Sequence, residues 1–285
     1  MPGTIGGAQL KFVNLTMPSF NKTTVGFVGY GFVGSAVHRV YNEFVETIIV
    51  DPGKGYNNTY KDLLKADGVF VCVPSPQGDD GSCDTSILED VLENLANIGY
   101  SGVIISKVTA PPQVYSRLQA KYKNLVHAPE FLTAANAIRD YANGSFAIIG
   151  GEVSAYRHEA ERIIRVGLQD LKNVYHCSIE EASLTKYTIN TFLATKVIFM
   201  NEIAKLAENL GCDYQKVASM VNADVRIGTS HMKVPGPDGA YGFGGMCFPK
   251  DTAALLKIAE QAGTDMMVLD AAVRKNTFLR LTEPK

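Results

Sequence analysis

The stretch TVGFVGYGFVGSAVHRVYNEF at 24–44, followed by TIIVD at 47–51, decides the fold. An apolar run ends in glycine, and a helical pattern then extends from Phe32 to Phe44. The β-branched run TIIVD predicts a second strand. A strand, a glycine turn, a helix and another strand form the order that begins an open α/β sheet.

The glycine turn has the spacing GxGxxG, with glycines at Gly29, Gly31 and Gly34. The first permits a tight turn, the second lets a pyrophosphate approach the backbone, and the third lets the helix pack on the strand. Asp51 follows Gly29 by 22 residues. A carboxylate there accepts hydrogen bonds from ribose hydroxyls and repels a 2′-phosphate, which favours NAD over NADP. The alternative is a purely structural turn with a capping aspartate.

Strands and helices continue to alternate after this unit. This order predicts a doubly wound, mostly parallel sheet covered on both faces. The sequence divides into an N-terminal extension at 1–23, a dinucleotide-binding domain at 24–178 and a helical domain at 179–285. The further strands are predicted at 68–74, 102–108, 124–130, 145–151 and 173–177, with helices that include 86–95 and 154–169.

One long helix is predicted from 179 to 210. Ser178 and Glu181 have the spacing of a capping box, and Gly211 stands where a helix-ending glycine belongs. The segment FLATKVIFMNEIA within it is apolar on most sides, which requires burial on more than one face. We expect this helix to join the domains and to pack against a second subunit. A glycine- and proline-rich loop at 228–245 then precedes helices near 249–262 and 264–281.

Composition excludes several classes of function. A net charge of −2 predicts no nucleic-acid partner. The N-terminus lacks a signal-peptide pattern, and no apolar stretch has the length of a membrane span. The five cysteines form no CxxC pair, and no ligand spacing indicates a metal site. We therefore expect a cytoplasmic protein without structural metal.

Cys247 stands in GFGGMCFPKD, where the glycine-rich loop becomes a helix. The helix dipole and Lys250 are expected to lower the pKa of its thiol, although a lone cysteine more often serves as a small buried apolar residue.

Lys186 and Asn190 lie four residues apart on one helix face. Glu130 ends a strand, where a doubly wound sheet faces its ligand. A solvated stripe and a turn residue are the alternatives for these positions.

Several segments together resemble the UDP-glucose/GDP-mannose dehydrogenase family, from Thr24 to about Lys285. They are GYGFVG, VPSP with Asp84-Thr85-Ser86 after it, KVTAPP, APEFL, LTKYTINTFLATKVIFMNE, DVRIG and GFGGMCFPKD. The resemblance implies a Rossmann-type domain followed by an all-helical dimerisation domain. It also implies oxidation of a sugar C6 alcohol to a carboxylate with two NAD⁺. UDP-glucose, the commonest substrate of the family, is the expected nucleotide sugar.

The resemblance also implies residue roles. Cys247 is the nucleophile that forms a thiohemiacetal and then a thioester. Lys186 and Asn190 stabilise developing oxygen charge, Asp251 and Thr109 hold water or assist proton transfer, and Glu130 is the base in thioester hydrolysis. Arg226 resembles the arginine that family dimers donate to the neighbouring subunit's substrate. The expected cofactor contacts are Gly29, Tyr30, Gly31, Phe32, Val33, Gly34, Asp51, Val73, Pro74, Ser75 and Thr109. The expected substrate contacts are Glu130, Phe131, Leu132, Lys186, Asn190, Arg226, Tyr241, Gly242, Gly244 and Gly245.

The sequence departs from the family at two places. The family often has PEFLxE, and Ala134 replaces the second glutamate here. The chain ends near Lys285, whereas typical members continue into a third domain that closes over UDP. We therefore expect uridine contacts from the first two domains, the partner or solvent, and looser nucleotide recognition.

Two other functions fit parts of the pattern. A β-hydroxyacid dehydrogenase also joins a Rossmann domain to helices with a Lys-x-x-x-Asn pair, but it performs one hydride transfer and has no place for GFGGMCFPKD. A non-catalytic sensor of NAD or nucleotide sugars would accommodate Ala134 and the absence of a third domain.

Overall fold

The computed structural model describes residues 22–41, 45–133 and 136–282. Positions 1–21, most of the expected N-terminal extension, lie outside it, as does Ala134. Within the described residues, a sheet of seven strands is followed by a helical region. The strands are β1 Thr24–Val28, β2 Glu46–Val50, β3 Gly68–Val71, β4 Val103–Ser106, β5 Leu125–His127, β6 Phe146–Gly150 and β7 Asn173–Cys177.

The strand order is β2-β1-β3-β4-β5-β6-β7. The chain leaves β1 for β2 on one side and returns to β3 on the other, so the order reverses between β1 and β3. Such a switch opens a crevice at the carboxyl ends of the strands, where doubly wound sheets bind ligands. All neighbouring strands are parallel except β5 and β6, which pair antiparallel. This confirms the predicted mostly parallel α/β sheet.

Helices cover both faces of the sheet. Leu92 and Leu95 of one helix and Tyr115 of another belong to the apolar cluster on one face, and Val37 and Ile163 belong to the cluster on the opposite face. Both faces are therefore buried, as a parallel sheet requires. The helices of this region are α1 Phe32–His38, α2 Ser86–Asn97, α3 Pro112–Lys121, α4 Ala137–Ala142 and α5 Ser154–Gly167.

The long helix α6, Ile179–Asn209, starts directly after β7 and Ser178. The Ser178 hydroxyl accepts a hydrogen bond from the Glu181 amide at 3.1 Å, and the Ser178 amide donates to the Glu181 carboxylate at 2.7 Å. This is the predicted capping box. At the other end Gly211 adopts a φ of +69°, the left-handed conformation expected of a helix-ending glycine.

The remaining helices pack around α6. They are α7 Tyr214–Val221, α8 Phe248–Gln261 and α9 Met267–Thr282. Tyr187 of α6 packs against Leu255 of α8, and Ala194 and Ile198 pack against Leu279 of α9. No helix in the described part of the chain is long and apolar enough to cross a membrane.

Element boundaries differ from the predictions at several places. The first helix ends at His38 rather than at Phe44, and the strand predicted at 68–74 ends at Val71. Cys72, Val73 and Pro74 instead begin the loop that borders the crevice. The short helix α4, which sequence patterns did not indicate, buries only Tyr141. An isolated apolar position carries too little periodicity to predict a helix.

Candidate active site

The glycine turn after β1 borders the crevice. Gly29 has a φ of +86°, and a Cβ there would lie 2.8 Å from the carbonyl oxygen of Cys72. A Cβ on Gly34 would collide with the carbonyl oxygen of Gly29, whereas one on Gly31 would meet no atom within 4 Å. Gly29 and Gly34 are thus needed for the packing of the turn. Gly31 faces open space, as backbone that a ligand approaches should.

Asp51 lies against this turn. Its carboxylate accepts a hydrogen bond from the Tyr30 amide at 2.6 Å. The Tyr30 hydroxyl is 2.6 Å from Nδ1 of His38, and its ring packs edge-on against Tyr56 at 4.9 Å. The predicted ribose carboxylate and the predicted pyrophosphate turn are therefore brought together.

The loop after β3 is tied to the end of β4. The Ser75 hydroxyl donates to the carbonyl of Thr109 at 2.8 Å, and the Cys83 thiol donates to the same carbonyl at 3.3 Å. The loops that carry Val73, Pro74, Ser75 and Thr109 therefore follow two neighbouring parallel strands and are joined to each other. The sequence patterns did not indicate this contact of Cys83.

Lys186 of α6 reaches Glu130 at the end of the β5 segment. Its ammonium lies 3.1 Å from the Glu130 carboxylate, also donates to the Glu130 carbonyl, and lies 5.3 Å from the centre of the Phe131 ring. The other carboxylate oxygen accepts a hydrogen bond from the Leu132 amide at 2.7 Å. Since Lys186 and Glu130 are buried, this pair of opposite charges forms a preorganised centre.

A second polar group lies one turn further along α6. The Asn190 amide donates to one oxygen of Asp251 at 2.6 Å, and the Lys250 ammonium lies 2.5 Å from the other oxygen. Asp251 is almost fully buried, so these two partners compensate its charge. The predicted Lys186–Asn190 face of α6 therefore presents both residues toward carboxylates.

Cys247 is the residue that precedes α8, and its carbonyl accepts the Asp251 amide at 2.8 Å. Although the residue is exposed, enough protein surrounds the thiol that desolvation is the largest influence and raises its pKa. Lys186 and Lys250 act to lower the pKa, and Asp251 and Glu130 act to raise it. The prediction of a lowered pKa is therefore wrong, because burial of the thiol outweighs the two lysines, each of which is also paired with a carboxylate. Lys186, Lys250, Asp251 and Glu130 are thus the charged groups close enough to act on this thiol.

The glycine-rich loop before Cys247 packs against α9. Gly242 has a φ of +76°, and a Cβ there would collide with the Asn276 side chain. A Cβ on Gly244 would lie 2.6 Å from the Arg280 guanidinium. Close backbone approach was predicted from the glycines, but their neighbours are the protein's own side chains. Of Gly242, Gly244 and Gly245, only Gly245, with a φ of +76°, faces open space.

The remaining predicted contacts lie elsewhere in the single chain. Arg226 is exposed and pairs with its own neighbour Asp224 at 2.6 Å. Tyr241 packs beside Met232 and Val234. These positions stay predictions for substrate contact.

Sequence patterns missed Lys107, which is buried at the end of β4. Its ammonium lies 5.7 Å from the centre of the Phe70 ring and 5.3 Å from that of Tyr141. Burial lowers its pKa to about 8, while Cys72 and Glu130 act in the opposite direction. The feature of the sequence that could have identified Lys107 is its place directly after the apolar strand GVIIS.

The chain combines a Rossmann-like sheet and its dinucleotide crevice with helices that bring a thiol and paired charges together. This combination defines a class of dinucleotide-binding proteins with two domains. The chain belongs to the UDP-glucose/GDP-mannose dehydrogenase family. Residues 54–166 match the NAD binding domain of the family, and residues 180–277 match its central domain. The sheet region is thus the family's NAD-binding domain.

Curated relatives agree with this assignment. UDP-glucose 6-dehydrogenase TuaD of Bacillus subtilis (strain 168) is 34% identical over 256 residues, which cover 84% of this chain and 52% of the relative. A UDP-glucose 6-dehydrogenase of Pseudomonas aeruginosa is 32% identical, with 83% and 55% covered. The chain therefore spans about half the length of the curated relatives it matches.

Solved structures share the fold. A UDP-glucose dehydrogenase from Pyrobaculum islandicum aligns with a TM-score of 0.76 at 25% identity, over 93% of this chain and 70% of that one. A 3-hydroxyisobutyrate dehydrogenase from Mycobacterium tuberculosis aligns with a TM-score of 0.69 at 16% identity, over 90% of this chain and 93% of that one. The second likeness shows the fold alone.

Proposed function

We propose that this protein is an NAD-dependent nucleotide-sugar 6-dehydrogenase that converts UDP-glucose to UDP-glucuronate through covalent intermediates on Cys247. The observation that carries the proposal is the position of this cysteine. Its carbonyl accepts the Asp251 amide, and the charges that act on its thiol are those of the Lys186–Glu130 ion pair and of Asp251 with its partner Lys250. The curated relatives named UDP-glucose 6-dehydrogenase support the choice of substrate.

NAD fits the residues of the glycine turn. Gly31 leaves open space before α1, where backbone N–H groups suit a pyrophosphate, and Asp51 offers carboxylate oxygens to ribose hydroxyls. When bound, NAD⁺ supplies the hydride acceptor for both oxidations, at two molecules per sugar.

Cys247 makes the second oxidation possible. The thiolate adds to the aldehyde carbon, so that a carbon–sulfur bond forms and the carbonyl oxygen takes up a proton. The carbon of the resulting thiohemiacetal bears a hydroxyl group as well as its hydrogen. Loss of that hydrogen as hydride, together with the hydroxyl proton, leaves a thioester. Covalent catalysis thus divides one difficult conversion into easier steps.

Lys186 and Asn190 are proposed to stabilise the oxygen of these intermediates. Their donor groups are directed to Glu130 and Asp251. Donors held in fixed positions stabilise oxygen charge without reorganising at the moment of reaction. Substrate oxygen would share these donors with the carboxylates.

Glu130 is proposed as the base in hydrolysis. Its carboxylate takes a proton from water as the water oxygen attacks the thioester carbon, and the thiolate of Cys247 leaves. The Leu132 amide and Lys186 hold the carboxylate in one orientation, which favours proton transfer in a defined direction. Asp251 and Thr109 are proposed to hold water or assist proton transfer.

A homodimer through α6 is part of the proposal. This helix exposes Phe192, Phe199 and Leu206, of which Phe192 is 66% exposed. They recur at intervals of seven residues, so they line one side of the helix. Arg226, exposed in the single chain, is proposed to serve the neighbouring subunit's substrate.

NADH stoichiometry tests the proposed function. Wild-type protein should give two NADH per UDP-glucose, and Cys247→Ala should form no uronic acid, because the aldehyde then has no nucleophile to carry it to the thioester. Absorbance at the NADH band and mass spectrometry of the sugar product measure both outcomes. UDP-N-acetylhexosamines and GDP-mannose are assayed in parallel to identify the sugar.

Cys212→Ala is the matched control, since Cys212 is an exposed cysteine at the far end of α6. Full acid production by Cys247→Ala would contradict the mechanism. One NADH per substrate, with indifference to thiol alkylation, would instead favour a β-hydroxyacid dehydrogenase. The similarity of the fold to 3-hydroxyisobutyrate dehydrogenase motivates that comparison.

A further inference from the structure

The loop before Cys247 is held at its backbone by side chains from two helices. The Gly242 amide donates to the Asn201 side chain of α6 at 3.0 Å, and the Phe243 amide donates to the Asn276 side chain of α9 at 2.7 Å. Arg280 of α9 donates to the Phe243 carbonyl at 3.0 Å and to the Gly242 carbonyl at 3.2 Å. At both Gly242 and Phe243, the amide donates to an asparagine and the carbonyl accepts from Arg280.

These supports are specific to the loop. Asn201 and Asn276 are buried, and a buried amide oxygen needs a donor partner, which the loop backbone supplies. Arg280 is itself fixed by Asp238 at 2.6 Å, a residue of the same loop. Gly242 and Gly244 permit the close approach, since a Cβ at either position would collide with Asn276 or Arg280.

The held segment is connected to the nucleophile by packing. The Phe243 ring lies edge-on to Phe248 at 6.2 Å, and Phe248 is the first residue of α8, directly after Cys247. Phe248 is in turn 5.4 Å from the ring of His231. A displacement of Phe243 would thus be transmitted to the start of α8.

We propose that Asn276 and Arg280 of α9, with Asn201 of α6, are positioning residues that fix the glycine loop and so hold the Cys247 thiol among Lys186, Glu130 and Asp251. This inference rests on the proposed function for its catalytic consequence. None of the three residues touches the reacting atoms in this assignment. They act through the loop backbone.

The test uses the protein's own cysteines as reporters. Ligand-free protein is treated with iodoacetamide, and alkylation at each cysteine is followed by peptide mass spectrometry. Cys212 is exposed and serves as the internal reference, while Cys72, directly after β3, is buried in an apolar cluster and reports global unfolding. In Asn276→Leu, which keeps the side-chain size but removes the acceptor, the Cys247 to Cys212 rate ratio should rise by more than about twofold as the thiol becomes hydrated.

A conservative replacement of Asn276 distinguishes a loss of loop positioning from a general loss of stability. Asn276→Asp keeps an acceptor for the Phe243 amide and should return the ratio toward the wild-type value. Asn209→Leu, an exposed asparagine on α6, is the matched control and should leave the ratio unchanged. If Asn276→Leu does not fold, Arg280→Met tests the carbonyl side of the same loop with the same readout.

A Cys247 ratio that stays within about twofold of wild type in folded Asn276→Leu overturns the inference, and so does a rise matched by alkylation of Cys72. In the turnover assay, Asn276→Leu should lower kcat/KM for the nucleotide sugar by about tenfold and leave KM for NAD⁺ unchanged. If the wild-type protein shows no turnover, the proposed function is contradicted. The Cys247 to Cys212 alkylation ratio would still show whether α9 positions the loop.

Discussion

Lys107 is a buried lysine whose neighbours are aromatic rings rather than a close carboxylate. Phe70 and Tyr141 face its ammonium, and the titratable groups that act on it are Cys72 just after β3, Glu130 after β5 and Lys186 of α6. Cation–π contacts offset only part of the cost of removing a charge from water. Burial consequently lowers its pKa from 10.5 to about 8.

Replacing Lys107 by methionine should therefore stabilise the protein near neutral pH. The shift in pKa corresponds to a gain of at most about 3 kcal/mol at pH 7. Between pH 8 and 10.5 the unfolded chain binds more protons at this site than the folded chain does, so wild-type stability rises with pH and the gap should close. Urea unfolding of both proteins at several pH values measures the difference.

Lys121→Met provides the control, because Lys121 also lies over a tyrosine ring but is exposed. Its effect should be within about 0.5 kcal/mol at every pH. A Lys107→Met advantage of equal size at pH 7 and pH 10 would rule out the buried charge as its origin.

At the residue scale, sequence patterns predicted the chemical groups of the site better than their electrostatics. Glu130, Lys186, Asn190, Cys247 and Asp251 are brought together as expected. Their pairing was not predictable, because the sequence does not indicate which carboxylate each lysine contacts. The support of the Phe243 amide by Asn276 was equally hidden, since a separation of 33 residues leaves no periodic signal.

At the scale of elements, prediction succeeded where local chemistry is decisive. The ends of α6 follow from a capping box and a glycine, both of which act within one turn. The direction of β6 relative to β5 was not predictable, because alternation and β-branching are the same in parallel and antiparallel strands. The early end of α1 at His38 shows that a continuing apolar pattern does not oblige a helix to continue.

The capping box of α6 gives a prediction at this scale. Ser178→Ala removes the hydroxyl that accepts the Glu181 amide and should lower the free energy of unfolding by about 1 kcal/mol. Ser230→Ala, in an exposed loop, should have no measurable effect. Thermal or urea unfolding distinguishes the two variants. Equal stability of Ser178→Ala and wild type would mean that packing alone fixes the start of α6.

At the scale of the whole molecule, a second subunit is proposed to cover the exposed apolar residues Phe192, Phe199 and Leu206 of α6. Placing charge on them should prevent assembly, because a buried unpaired carboxylate is costly. We expect wild type to sediment as two chains and the double variant Phe192→Glu, Phe199→Glu to sediment as one. Analytical ultracentrifugation makes the measurement.

Leu64→Glu is a suitable control, since Leu64 is as exposed as Leu206 but lies in a short turn before β3. It should leave the mass unchanged. A double variant that still forms a dimer would place the interface away from this side of α6.

The helix α6 has a natural cysteine near each end. Its 31 residues form a rod of about 46 Å, with Cys177 just before its start and Cys212 just after its end. In the Cys247→Ala variant, spin labels on this natural pair provide a known distance against which pulsed-resonance distances can be calibrated. In an assembled pair of chains, the separation between the two Cys212 labels then reports whether the two rods run alongside in the same direction, with labels close, or in opposite directions, with labels far apart.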